Sequence, residues 1–74
     1  MATKWFFAGQ KKVNQYLADN FGENYKCLSQ DVCPLAVYET YRTWDETGKP
    51  QDILCVIHNP GLIHIYTNSG FITY

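Results

Sequence analysis

The sequence predicts an α+β domain: one amphipathic N-terminal helix packed on a small antiparallel β-sheet that ends in a C-terminal meander. Three observations carry this expectation. Apolar residues recur at helical spacing between Gln10 and Phe21. From Gln51 to Tyr74, apolar runs are separated by two turn sequences, Asn59-Pro60-Gly61 and Asn68-Ser69-Gly70. The helical segment precedes the strands as a block and does not alternate with them, which separates α+β from βαβ order.

Residues 3–8, with Trp5-Phe6-Phe7-Ala8 at their centre, read as a short apolar strand or an arm docked on the core, and Gly9 as a change of direction. From Gln10 to Phe21, Val13, Tyr16, Leu17 and Phe21 fall at i, i+3, i+4 and i+8, one face of a helix. Lys11, Lys12, Asn14, Gln15 and Asp19 take the wet faces, and Gly22 stands where a left-handed C-cap is wanted. Tyr25 to Ser29 reads as a brief strand, and Ser29 to Pro34 as a turn, because Pro34 biases Cys33 away from helical angles. Leu35 to Trp44 fits either period. Its Val, Thr, Tyr and Trp content favours a strand with Val37, Glu39, Tyr41 and Thr43 opposing Tyr38, Thr40, Arg42 and Trp44. Asp45 to Pro50 is a polar hairpin loop in which Gly48 supplies positive φ. Asp52 to His58 is apolar on both alternating faces, as in a central strand covered on two sides. Leu62 to Thr67 and Phe71 to Tyr74 complete the meander.

With 74 residues the chain is expected to form one domain, 1–74. A chain of this size buries only roughly 60% of its unfolded surface, so some of its twelve Phe, Trp and Tyr side chains must lie at the surface. One helix also covers only one sheet face. The second apolar face implied by residues 53–65 needs the N-terminal arm or another molecule.

Composition narrows the function classes. Six Lys and Arg against seven Asp and Glu leave no basic excess of the kind nucleic-acid binders show. Lys4, Lys11 and Lys12 read as a solvated face. Trp5 to Ala8 is shorter than a signal-peptide core of about 7–15 residues, and no run approaches the ~18 apolar residues of a membrane span. An odd number of cysteines, three, suits a reducing compartment. A soluble, cytoplasmic protein is expected.

The candidate chemistry is sparse. Cys27 and Cys33 are separated by five residues, wider than the two to four of zinc knuckles. Cys55 and His58 have opposite parity on one strand, whereas His58 and His64 flank a turn and can pair across the hairpin. The preferred reading is structural: free cysteines behave as small buried hydrophobes, a Cys27–Cys33 disulfide is disfavoured in a reducing compartment, and no metal site or cofactor is expected. Cys55 inside an apolar run is a poor nucleophile. Asp45 and Glu46 are loop neighbours and do not face one another across a cleft. Gly9, Gly22, Gly48, Gly61 and Gly70 are scattered singly, which gives no phosphate cradle. No catalytic residue is assigned, and the chain is not expected to be an enzyme.

What remains is contact surface. Tyr38, Tyr41, Trp44, Tyr66, Phe71 and Tyr74 are the expected partner-binding residues, because interfaces are enriched in Tyr and Trp. Phe71 to Tyr74 is expected to form a sheet edge able to pair with a partner strand. The expectation is a small regulator or inhibitor that binds another protein, of the kind phages and mobile elements encode. The alternatives are a single-stranded nucleic-acid binder stacking bases on Tyr38, Tyr66 and Tyr74, and a homodimeric structural protein joined through the C-terminal edge.

Overall fold

The computed structural model describes residues 4–59 and 61–74. Helix α1 (Lys4–Phe21) is followed by strands β1 (Tyr25–Val32), β2 (Ala36–Trp44), β3 (Pro50–His58), β4 (Leu62–Thr67) and β5 (Gly70–Thr73). The strands form one antiparallel sheet in the order β1-β2-β3-β4-β5, so every neighbour in sequence is a neighbour in space. The expected α+β class and C-terminal meander are both present.

The first correction concerns the N-terminus. Of the expected strand or arm over 3–8, residues 4–8 are helical, and residue 3 lies outside the described residues. The apolar stripe extends two turns further back than Val13, through Gly9 to Trp5 and Phe6, which pack on the core. Gly9 does not bend the chain. It is a buried helical residue at which an added Cβ would collide with Cγ2 of Ile57 on β3. Glycine serves here through its second property, permitting close backbone approach. Gly22 ends the helix as expected, with φ of 63° and its N–H donating to the Ala18 carbonyl at 3.0 Å.

The second correction concerns β1, which runs to Val32 where the sequence suggested a turn from Ser29. A bulge between Cys27 and Ser29 shifts the register by one residue, so Tyr25 pairs with Thr43 but Val32 with Val37. The extra residue breaks the alternation that would mark a strand. The Leu35 to Trp44 segment is the expected strand, starting at Ala36, and β3 begins at Pro50, two residues before the expected Asp52. In the β3–β4 turn Pro60 lies outside the described residues, while Gly61 has φ of 129°.

Parity then sorts the sheet into two faces. Val37, Tyr41, Ile53, Cys55, Ile57, Ile63 and Ile65 meet Val13, Tyr16 and Leu17 of α1 to form the core. Each buried aliphatic side chain contributes about 1.5–3 kcal/mol. Two polar residues share this face. Thr43 Oγ1 donates to the Gln51 carbonyl at 3.0 Å. Glu39 is 1% exposed. Its carboxylate accepts from Gln30 and, at 2.9 Å, from the Tyr41 hydroxyl, while Gln10 of α1 turns its amide nitrogen to within 2.6 Å. The buried carboxyl group is therefore held by three polar side chains from α1, β1 and β2.

Candidate functional site

The opposite face of the sheet carries the candidate site, and the strand register lays it out in rows. Tyr38 of β2, Val56 of β3 and His64 of β4 form one row; Thr40, Leu54, Tyr66 and Phe71 of β5 form the next. Ala36, His58 and Leu62 bound them on one side, and Arg42 and Asp52 on the other. Arg42 and Asp52 close that border with two hydrogen bonds of 2.8 and 3.1 Å. The ion pair holds the Asp52 carboxyl below the usual carboxylate range and raises Arg42. The only described helix packs on the other face, so no second layer covers these rows among the described residues.

Val56 is 3% exposed even so, because large neighbours in its own layer close over it. Those neighbours carry the exposure: Phe71 is 54% exposed, Tyr66 and Leu62 43% each, and Tyr38 40%. Their rings are in mutual contact. Tyr66 and Phe71 lie 4.9 Å apart between centroids, Phe71 meets His64 edge-on at 5.0 Å, and His64 meets His58 at 4.6 Å. The last pair is hydrogen-bonded, His58 Nε2 to His64 Nδ1, at 3.1 Å. Four rings from β3, β4 and β5 thus form one continuous surface chain.

Of the six residues singled out in sequence, the fold gathers three here: Tyr38, Tyr66 and Phe71. The other three lie elsewhere. Tyr41 is in the core, its hydroxyl on Glu39; burial, followed by the Glu39 charge, pushes that hydroxyl far above the usual tyrosine range. Tyr74 packs edge-on against Tyr16 of α1 at 5.8 Å, on the helix side. Trp44 stands at the end of β2, where with Asn20, Phe21, Asn24 and the Asp45 to Thr47 loop it lines an open groove of about 590 Å³. The three tyrosines of the base-stacking alternative are likewise split, Tyr38 and Tyr66 on one face and Tyr74 on the other. The face also holds Leu54, Val56 and Leu62, which the sequence did not single out, and the His58–His64 pair, which was expected across the hairpin. Alternation within each strand signalled them, but only the register joins them into a patch.

The cysteines divide as well. Cys55 is fully buried opposite Glu39, and burial reinforced by that carboxylate pushes its thiol up to about 12. Cys27 and Cys33 are exposed, contrary to the expectation of buried cysteines: Cys27 lies on the edge strand β1 and Cys33 in the connection that follows it. Both are free thiols. Six steps along the extended chain separate them by roughly 20 Å, far beyond the ~7 Å limit for a disulfide. Among the described residues no cluster of three or more His, Cys, Asp or Glu could enclose a metal ion, and no helix is long and apolar enough to cross a membrane.

No protein-family model, curated protein or solved structure matches this chain at a significant level.

Proposed function

We propose that the chain is a protein-binding module whose contact surface is the open sheet face around Tyr38, Tyr66 and Phe71. The observation that carries this reading is an apolar, aromatic face left without a second layer in an α+β fold with one helix. An uncovered apolar patch of this kind marks an interaction surface more often than an ordinary solvated face. Five strands spaced about 4.8 Å apart and roughly 13–30 Å long present on the order of 600 Å². That approaches the ~800 Å² each partner contributes to a standard interface.

The chemistry favours a partner with a neutral, apolar contact surface. The rows of Tyr38, Tyr66 and Phe71 carry one charged residue, Asp31 opposite Tyr38 on β1, and at the border Arg42 is engaged by Asp52 with Lys26 beside it, which leaves a single lysine to hold a phosphate backbone. Tyr and Phe rings lose few rotamers on docking and serve well as anchors. A regulatory or inhibitory role follows from this reading as its simplest use, since a small rigid face acts by occupying a surface on a larger protein.

The test is a pull-down with the tagged chain, repeated with Tyr66→Ala/Phe71→Ala and, as a control on the helix side, Lys11→Ala. Loss of a stoichiometric partner in the double variant alone, by roughly tenfold or more in affinity, is the expected result. Thermal unfolding should show the double variant still folded. A partner retained equally by all three chains would reject the face, and a complex that dissolves steeply with salt would indicate phosphate contacts. Light scattering on the chain alone separates a second copy from a different protein as the occupant.

A further inference from the structure

The histidine pair is the one feature of the open face that simple apolar docking does not use. We propose that His58 and His64 form a two-histidine site for a borderline divalent transition-metal ion, Zn²⁺ or Cu²⁺, on the surface of the sheet.

The geometry comes first. The facing nitrogens, Nε2 of His58 and Nδ1 of His64, are 3.1 Å apart. An ion bonded to both at about 2.0–2.1 Å would subtend them at roughly 95–102°, between the square-planar and tetrahedral values. For both lone pairs to converge on one ion, each nitrogen turns by roughly 40° from the line that joins the two. The backbone holds them there: His58 ends β3 and His64 sits in β4, two strands locked in register by Ile57 opposite Ile63 and Val56 opposite His64. Phe71 lies edge-on to His64 at 5.0 Å.

The surroundings admit a cation. The two rows that carry the histidines, Ala36-His58-Leu62 and Tyr38-Val56-His64, contain no Lys or Arg, and both rings are half-buried at the rim of an apolar patch. Among the described residues the two imidazoles hydrogen-bond to each other and to no carboxylate. Imidazole ligands select Zn²⁺ and Cu²⁺ over hard Mg²⁺ or Ca²⁺. Two protein ligands leave the outward positions to water, so this is an open site and not a closed structural one. With no carboxylate behind either ring, it lacks the outer support that raises affinity in dedicated zinc centres.

The experiment is calorimetric titration of the intact chain with ZnCl₂ at pH 7.5, with MgCl₂ as control, alongside NMR of the imidazole resonances during addition of Cu²⁺. The expected result is one saturable Zn²⁺ per chain and none for Mg²⁺. His58→Ala and His64→Ala should each weaken Zn²⁺ binding by roughly tenfold or more. Paramagnetic broadening should strike His58 and His64 before any other residue. Cys27→Ser/Cys33→Ser, which removes the exposed thiols that also favour zinc, should leave the affinity unchanged. Absence of saturable binding overturns the proposal, as does binding indifferent to the histidine variants or abolished by the cysteine variant. Should a histidine variant unfold, the broadening pattern in the unaltered chain decides alone.

Discussion

Gly9 sets the distance between helix and sheet. A methyl group there meets Cγ2 of Ile57, one residue from the end of β3, so α1 must move or Ile57 must leave its rotamer. Alanine is the better helix former by about 1 kcal/mol, but overpacking a tight core costs about 1–3 kcal/mol. Gly9→Ala is therefore expected to destabilise the fold by up to about 2 kcal/mol in urea unfolding, the reverse of what helix propensity alone would give. The cysteines offer a second residue-level test. With its thiol pushed up to about 12 and the side chain fully buried, Cys55 should resist alkylation at pH 8. Mass spectrometry after iodoacetamide should show Cys27 and Cys33 labelled in the native chain and Cys55 only after denaturation. Early labelling of Cys55 would mean that the core around Glu39 opens readily.

The elements owe their placement to registers more than to propensities. The bulge in β1 lets Tyr25 pack near Tyr41 at 6.1 Å while Gln30, five residues on, still reaches Glu39. β1 and β5 are the two edges of the sheet, each hydrogen-bonded on one side only, and β5 carries the exposed Phe71. Between β2 and β3, Arg42 and Asp52 pair at the solvent, where ion pairs add little to stability. Arg42→Ala should accordingly leave the urea midpoint almost unmoved. It should, however, let Asp52 titrate at a higher pH in NMR, since the Arg42 hydrogen bonds are what depress it. The sign follows from linkage: a depressed carboxylate lends stability above its unfolded pKa and loses it as pH falls through the folded value. Asp45 acts in the same direction, depressed by the Thr47 hydroxyl and the Lys49 backbone N–H within the hairpin loop.

At the scale of the whole molecule, one helix serves a five-stranded sheet, and the consequence is an asymmetric body. The helix side is closed by Val13, Tyr16 and Leu17 over the isoleucines of β3 and β4. Among the described residues the other side is closed by its own side chains, with Tyr38 beside Val56, and Tyr66 and Phe71 in the row of Leu54. The proposed contact surface and the proposed metal site both lie on that side, so the Tyr66→Ala/Phe71→Ala variant tests the face as a unit. Because these rings are largely exposed, the fold should tolerate their loss while a complex does not. A large drop in thermal stability would show instead that the rings serve the core through Val56.

The sequence by itself determined the fold class, the helix from Gln10 onward, its glycine cap and the order of the meander. Each of these rests on local periodicity or on a turn residue acting within a few positions. It also determined that β3 is apolar on both faces, and that one helix could cover only one of them. The tertiary structure decided the rest. Trp5 and Phe6 are helical because the core accepts them, and Gly9 is a point of contact because Ile57 lies opposite it. The bulge that prolongs β1 is legible only against its partner strand. Tyr41 and Tyr66 look alike in sequence, yet one holds Glu39 in the core and the other lies on the open face. A side chain's face is set by strand parity. Which side chains share a patch is set by pairing between strands distant in sequence, and no local pattern records that.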